Sequence, residues 1–145
     1  MHIKLRLNEG MQFVGTPESG HSVLLDSVED VGGFDSAPHP VEMVLIGLGG
    51  CTGMDVVSLL SKMREDFEAF EILIDAERAT EHPKVIQETN LKYRVWGDVS
   101  EDNFQKAIDL SLDKYCSVAN TLKPNVNIEY EYEINPDREQ QNQPE

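Results

Sequence analysis

Two cysteines, Cys51 and Cys116, are the residues of this chain with the clearest capacity for chemistry. A cysteine thiolate is a strong nucleophile, and two cysteines that meet in a fold can form a disulfide. Cys51 lies inside an apolar segment, where a cysteine is more commonly a small buried hydrophobe. Cys116 lies where one predicted helix ends and another begins, and a helix N-terminus stabilises a thiolate. From these surroundings alone, Cys116 is the better candidate for a reactive thiol.

Other kinds of site have little support in the sequence. The glycines at 47–50 lie inside a predicted helix with no preceding strand, so they do not form a phosphate-binding loop and we expect no nucleotide cofactor. Neither cysteine has a partner at the spacing of metal ligands, so a zinc site could be assembled only by folding, and we expect no metal. The four histidines are scattered over predicted strand starts and loops, at His2, His21, His39 and His82.

Composition narrows the classes of partner and the compartment. In 145 residues, 27 acidic side chains outnumber 12 basic ones, and the net charge of −15 disfavours nucleic acids and anionic membranes as partners. Two cysteines are too few for a disulfide-stapled secreted scaffold, and residues 1–10 do not resemble a signal peptide, so we expect a cytoplasmic protein. The apolar segment Met43–Leu60 carries Asp55 and four glycines, which favours a helix buried in protein over a membrane span.

The elements that must position the thiols follow from hydrophobic periodicity. Alternation of polar and apolar residues predicts strands, and apolar residues at helical spacing predict helices. The order is an antiparallel meander, a buried helix, two strands, a second helix with a short extension and a last strand, which is an α+β fold. In numbers, we predict strands at 2–7, 11–15, 22–26, 70–76, 91–95 and 126–134, a loop at 27–39, and helices at 41–64, 101–115 and 117–122, the second of them capped by Ser100.

One helix, predicted at 41–64, is apolar on every face, so protein must surround it. Its four glycines lower helix propensity by about 3 to 4 kcal/mol, which implies that another backbone packs closely against them. Because a single sheet cannot cover such a helix, we predict a homodimer. We assign residues 1–134 to one domain, and we predict that the polar tail at 135–145 is disordered.

Two long motifs extend this interpretation to a family. Pro40–Val56 reads PVEMVLIGLGGCTGMDV and Lys114–Leu122 reads KYCSVANTL, with Cys116 following Cys51 by 65 positions. Together with the order of strands and helices, they closely resemble the OsmC/Ohr family. The resemblance implies an intertwined homodimer in which antiparallel sheets wrap around long central helices, with thiol sites at the subunit boundary.

The resemblance also implies an activity. Active family members reduce organic hydroperoxides in the response to oxidative stress. By this resemblance Cys51 is the attacking thiol, Cys116 is the resolving thiol, and an external dithiol reduces the resulting disulfide without any bound cofactor. The alternative is a dimer of the same fold without catalytic activity, which binds a small hydrophobic ligand in an apolar cleft.

The sequence departs from the hydroperoxide-reductase branch at two places. That branch has a glutamate directly after the helix-starting proline, and here Val41 takes that place. Glu42 is the nearest carboxylate. It precedes Cys51 by nine residues, which places it on the opposite side of a regular helix, so we expect Glu42 to act across the dimer and not within its own subunit. The branch also has an early arginine, and here only Arg6 precedes the second strand.

Other charged residues could act on the thiols. Asp55 follows Cys51 by four residues, shares its helical face, and would raise the thiol pKa if it were close and ionised. Asp55 could equally be a structural carboxylate. The remaining candidates for an activating cation are Arg64, Arg78 and Arg94, each of which could equally be an exposed charge.

Overall fold

The computed structural model describes residues 1–138, which form two compact units, Met1–Ile46 and the part from Gly47 onward. The first unit contains an antiparallel three-stranded sheet in the order β1-β2-β3. The predicted meander is therefore confirmed. Its elements are β1 (Ile3–Glu9), β2 (Gln12–Pro17), β3 (Val23–Leu25) and a short 3-10 helix (Glu29–Val31).

The loop after β3 is organised around one carboxylate, that of Asp26, which is 2% exposed. Its Oδ1 accepts from the Ser27 backbone amide at 2.8 Å, and its Oδ2 accepts from the amides of Phe34 and Ser36 at 3.1 Å each. The Ser36 hydroxyl donates to the same oxygen at 2.6 Å. These bonds, the Ser36 side chain foremost, lower the pKa of Asp26 to about 2. The predicted long loop is therefore present, and the Asp26 carboxylate stabilises it by accepting hydrogen bonds from the loop residues.

The apolar face of β1 is exposed in the single chain. Ile3, Leu5 and Leu7 alternate along the strand as predicted, yet they are 56%, 60% and 54% exposed. The sequence-based expectation of a half-buried strand is therefore wrong for one chain alone. Alternation indicates which face of a strand is apolar, but it does not show whether other parts of the same chain cover that face.

The second unit carries the larger sheet, in the order β4-β5-β6. β4 and β5 are antiparallel, whereas β6 runs parallel to β5. The expectation of purely antiparallel sheets is therefore wrong at this edge, because the helices between β5 and β6 return the chain to its starting direction. The elements are α1 (Pro40–Lys62, whose first turns belong to the first unit), β4 (Asp66–Arg78), β5 (Ile86–Asp98), α2 (Glu101–Leu110), a π-helical turn (Ser111–Tyr115), α3 (Ser117–Leu122) and β6 (Asn127–Ile134).

The long helix α1 is buried along one row only. Leu48, Thr52, Val56 and Leu60, spaced four residues apart, are all fully buried, whereas Met54 is 76% exposed. The expectation that protein surrounds α1 is therefore not met within one chain. Among residues 1–138, α1 is the one helix whose length and composition would suit a membrane span, a property that the core helix of a soluble protein shares.

Two of the helix glycines explain how the sheet approaches α1. A Cβ atom at Gly49 would lie 2.8 Å from Ile74 Cδ1, and one at Gly53 would lie 3.3 Å from Ile72 Cδ1. Gly47 and Gly50 have no such neighbour within 4 Å in the part of the chain that the structure describes. A close neighbour therefore exists for two glycines of the four, but it is an isoleucine side chain, so the expectation that another backbone packs against these glycines is wrong.

The predicted tail begins with residues that contact β5. The Asn135 side chain exchanges hydrogen bonds with the backbone of Gly97, and the Trp96 indole donates to the Pro136 carbonyl at 2.8 Å. Residues 139–145 lie outside the described residues, so disorder of the tail stays a prediction, as does the single domain at 1–134.

Candidate active site

The fold brings the two cysteines together. The sulfur atoms of Cys51 and Cys116 and a carboxylate oxygen of Asp55 all lie within 4.8 Å of one another. Both cysteines are free thiols; Cys51 is half-buried and Cys116 is fully buried. Cys51 and Asp55 stand one turn apart on the same face of α1, and Cys116 reaches them from the junction between the π-helical turn and α3. We call these three residues the thiol cluster.

Local hydrogen bonds fix the position of Cys116. Its backbone amide donates to the Ser111 carbonyl at 2.7 Å, which closes the π-helical turn. The residue then caps α3, because its sulfur accepts from the Ala119 amide at 3.3 Å. The Asn120 side chain donates to the carbonyls of Leu112 at 3.1 Å and Cys116 at 2.9 Å. The sequence therefore correctly located Cys116 at a helix start.

The electrostatic consequence is opposite to the one expected from that location. The pKa of the Cys116 thiol is raised to about 11, chiefly by burial, and the Ala119 amide opposes this only in part. The neighbouring Cys51 and Asp55 contribute to the increase. One N–H group cannot replace the hydration that a buried thiolate loses, so Cys116 is a protonated thiol at neutral pH.

A chain of buried hydroxyl groups leads to the thiol cluster. The Tyr93 hydroxyl lies 2.8 Å from Thr52 Oγ1, which lies 2.8 Å from Ser111 Oγ, which donates to Asp55 Oδ2 at 2.9 Å. Because the Ser111 hydroxyl donates its one proton to Asp55, it accepts from Thr52, and Thr52 in turn accepts from Tyr93. In all three hydrogen bonds the donor is therefore the hydroxyl farther from Asp55. Burial raises the pKa of Tyr93 far above its usual value, so its proton stays in place as the first donor.

This chain of hydroxyl groups was not predicted from the sequence. Thr52 adjoins Cys51 in the first motif, and Ser111 belongs to the apolar stripe of the second helix, where a polar residue at a buried position is a usable signal. Tyr93 was correctly predicted to lie on a strand in which apolar residues alternate with polar neighbours. The meeting of the three hydroxyls depends on contacts between distant segments, which periodicity does not predict.

Glu42 is not a member of the thiol cluster. Its Oε2 accepts from the His39 backbone amide at 2.8 Å, at the residue before α1 begins. This is the return half of a capping box, in which the third helical residue satisfies the amide of the capping residue. Within the chain Glu42 therefore caps its own helix, and action across a dimer stays a prediction.

Two of the three candidate cations are engaged elsewhere. The Arg94 guanidinium pairs with Glu133 at 2.9 Å and Glu71 at 3.3 Å, on the strands that flank β5. Arg78 donates to the Lys84 carbonyl at 2.9 Å. Arg64 follows the end of α1 in a left-handed conformation with φ of 60°. These contacts give no support to an activating role at the thiols.

Comparison with known proteins places the chain in a family. A model of the OsmC-like protein family matches residues 33–131, which is more than half of the sequence. Protein YhfA of Escherichia coli strain K12 is 41% identical over 135 residues, which cover 92% of this chain and 98% of that protein.

Solved structures share the fold. A hypothetical protein from Aquifex aeolicus VF5 superposes with a TM-score of 0.78 at 29% identity, over 93% of this chain and 97% of that one. An organic hydroperoxide resistance protein OsmC from Legionella pneumophila superposes with a TM-score of 0.68 at 13% identity, over 91% and 96%. At this low identity the second likeness concerns the fold alone.

Proposed function

We propose that this chain, which belongs to the OsmC-like protein family, is a thiol-dependent peroxidase that reduces organic hydroperoxides through Cys51 and Cys116. The observation that carries the proposal is the approach of two free thiols, 65 positions apart in sequence, to within 4.8 Å. A disulfide bond of about 2.05 Å can form from that separation by side-chain rotation and a small backbone shift.

The first step takes place at Cys51. Its thiolate attacks the outer oxygen of the hydroperoxide, the O–O bond breaks, and the alkoxide takes a proton and leaves as an alcohol. Cys51 becomes a sulfenic acid, so the sulfur is oxidised by two electrons and the peroxide is reduced by two. We assign this step to Cys51 because it is half-buried and can be reached, whereas Cys116 is fully buried.

The second step involves Cys116. Its thiol attacks the sulfur of the sulfenic acid, water leaves, and the two sulfurs form a disulfide. Part of the increase in the pKa of Cys116 comes from Cys51 and Asp55.

Regeneration requires an external dithiol, which reduces the disulfide by thiol exchange, and no bound cofactor takes part. A cytoplasmic location would supply such a reductant. We further propose that the active form is a homodimer. Ile3, Leu5 and Leu7 in the first unit are each more than half exposed, and a second copy of the chain is the partner that would cover such apolar faces.

Turnover with defined peroxides tests the proposal. The reduced protein should consume cumene hydroperoxide and tert-butyl hydroperoxide in the presence of a dithiol. Cys51→Ser should abolish turnover, and Cys116→Ser should stop at a sulfenic acid that dimedone traps on Cys51. The matched control is Ser117→Ala, at an exposed position next to Cys116, which should leave turnover unchanged.

The same assay distinguishes the alternative of a dimer that binds a hydrophobic ligand. Thiols that stay reduced in an excess of both peroxides, in a folded wild-type protein, would contradict the peroxidase proposal. Turnover that persists in Cys51→Ser would contradict the assignment of the attacking thiol.

A further inference from the structure

We propose that Cys51, Cys116 and Asp55 together form, in the reduced protein, a binding site for one Zn²⁺ ion. Along the chain the three residues do not follow a spacing of metal ligands, so only folding can assemble this site. Folding brings two sulfurs and a carboxylate oxygen to within 4.8 Å of one another. The site is separate from the peroxidase proposal in its chemistry, although it uses the same two thiols.

The set of donors selects the class of cation. Two cysteine sulfurs and one carboxylate oxygen suit a borderline-soft divalent ion such as Zn²⁺, whereas Mg²⁺ and Ca²⁺ prefer oxygen ligands alone. Three protein ligands leave one position of a tetrahedral ion open for water. With both thiols deprotonated, the three donors carry three negative charges, which a divalent cation offsets in part.

The distances are compatible with a tetrahedral ion. With Zn–S bonds of about 2.3 Å and a Zn–O bond of about 2.1 Å, the donor atoms of such a site lie about 3.6 to 3.8 Å apart. The three atoms are at most 4.8 Å apart in the fold. Closing the site therefore requires movements of about 1 Å, which cysteine and aspartate side chains achieve by small rotations.

Neighbouring groups already hold two of the three ligands. Ser111 donates to Asp55 Oδ2 at 2.9 Å, which leaves the other carboxylate oxygen for the ion. The Ala119 amide donates to the sulfur of Cys116 at 3.3 Å. Thr52 in turn fixes the Ser111 hydroxyl at 2.8 Å. Outer contacts of this kind orient metal ligands and commonly change affinity by about 10- to 100-fold.

Metal binding and disulfide formation exclude each other. A hydroperoxide takes two electrons from the two thiolates, and two protons complete the alcohol and water that leave. The sulfur atoms of the resulting disulfide no longer carry the negative charge of thiolates. Because metal binding requires deprotonated thiols, oxidation releases the ion. A bound ion conversely protects the reduced thiols.

Cobalt provides a spectroscopic probe for the site. The full chain, reduced and freed of metal with a chelator, is titrated with Co²⁺ and then with Zn²⁺. We expect one Co²⁺ per chain, a thiolate-to-cobalt charge-transfer band in the near ultraviolet, visible bands typical of tetrahedral coordination, and loss of all bands on addition of Zn²⁺. Absence of the charge-transfer band in the reduced, folded protein would overturn the proposal.

Variants identify the ligands. Cys116→Ser should weaken the charge-transfer band, and Asp55→Asn should lower Co²⁺ affinity by about tenfold or more. The matched control is Asp75→Asn, at an exposed position of β4, which should leave affinity unchanged. Equal affinity in Asp55→Asn and the wild type would exclude Asp55 as a ligand and overturn the three-ligand site. Zn²⁺ should also slow alkylation of Cys51 in the wild type, which tests the site without any variant.

The test separates this site from the proposed activity. A protein that reduces peroxides and shows no cobalt band retains its function and refutes the metal site. A protein that binds Co²⁺ with the expected spectrum and does not reduce peroxides supports the metal site and refutes the peroxidase.

Discussion

The two sheets of this protein have the same sequence pattern and opposite environments. On β1 of the first unit, Ile3, Leu5 and Leu7 alternate with polar residues, and each is more than half exposed. On β5 of the second unit, Leu91 and Val95 alternate in the same way and are fully buried. The pattern decides which face is apolar, and the elements packed on that face decide whether it is buried.

The covered sheet is also the one that supports chemistry. Tyr93, between Leu91 and Val95 on the buried face of β5, begins the chain of hydroxyl groups that ends at Asp55. A hydrogen-bonded chain of this kind persists because the surrounding core excludes water. We therefore expect substitutions to have larger effects on the second unit than matched substitutions on the first. Three predictions test this difference, and a fourth concerns the first unit alone.

The largest difference is expected for leucine truncation on matching strands. Leu91→Ala removes a fully buried side chain and should lower the free energy of unfolding by about 2 to 5 kcal/mol. Leu5→Ala, at a side chain 60% exposed, should change it by no more than about 0.5 kcal/mol in dilute protein and should instead weaken self-association. Denaturant unfolding and sedimentation measure the two effects. Equal losses of stability would contradict the difference.

Two glycines with positive φ form the second pair. Gly97 has φ of +125°, and a Cβ there would lie 2.4 Å from the Asp66 carbonyl oxygen, so Gly97→Ala should cost about 3 kcal/mol or more. Gly20 has φ of +81° and no atom of residues 1–138 within 4 Å of such a Cβ. Gly20→Ala should therefore cost about 1 to 2 kcal/mol, from backbone strain alone. Thermal unfolding of both variants measures the difference, and a greater loss in Gly20→Ala would be inconsistent with it.

Two threonines form the third pair. Thr52→Val leaves the buried hydroxyls of Tyr93 and Ser111 without their shared partner and should cost about 1 to 3 kcal/mol. Thr16 makes a similar bond of 2.8 Å to Ser22, but this pair is exposed and water can replace it. Thr16→Val should therefore change stability by no more than about 0.5 kcal/mol. If chemical unfolding gave the reverse order, the buried chain of hydroxyls would have no structural role.

The smallest effect concerns acid stability in the first unit. The pKa of Asp26 is lowered from 3.8 to about 2, so its ionised form stabilises the folded loop above pH 3.8, and this stabilisation is lost as pH falls toward 2. Hydrogen exchange at the Phe34 and Ser36 amides, corrected for the intrinsic pH dependence, should show protection lost over that interval. Asp26→Asn should remove the pH dependence, and Asp30→Asn, an exposed position in the same loop, should preserve it. Protection that is constant down to pH 2 in the wild type would contradict this role.

Local signals predicted most of the fold. The order of strands and helices was correct, and so was the cap of the second helix, since Ser100 accepts from the Asn103 amide at 3.2 Å. The short helix after Cys116 was also correct. Each of these depends on neighbours within one or two turns of the chain, and periodicity and capping residues describe such contacts directly.

What the sequence did not predict depends on distant contacts. The parallel pairing of β6 with β5 follows from the path of three intervening helical segments. The thiol cluster joins Cys51 to Cys116, and only the family resemblance predicted that they meet. The pKa of Cys116 was expected to fall at a helix start, and burial reversed the direction. Burial is a property of the folded chain, so the sign of this change could not be obtained from a local motif.

The redox pairing of Cys51 with Cys116 is the central claim, and a thiol titration of the reduced, metal-free protein tests it most directly. One equivalent of cumene hydroperoxide should remove two thiols per chain, and peptide mapping should find a single disulfide between Cys51 and Cys116 within one chain. Loss of one thiol only, a disulfide between chains, or two unreacted thiols would contradict the claim.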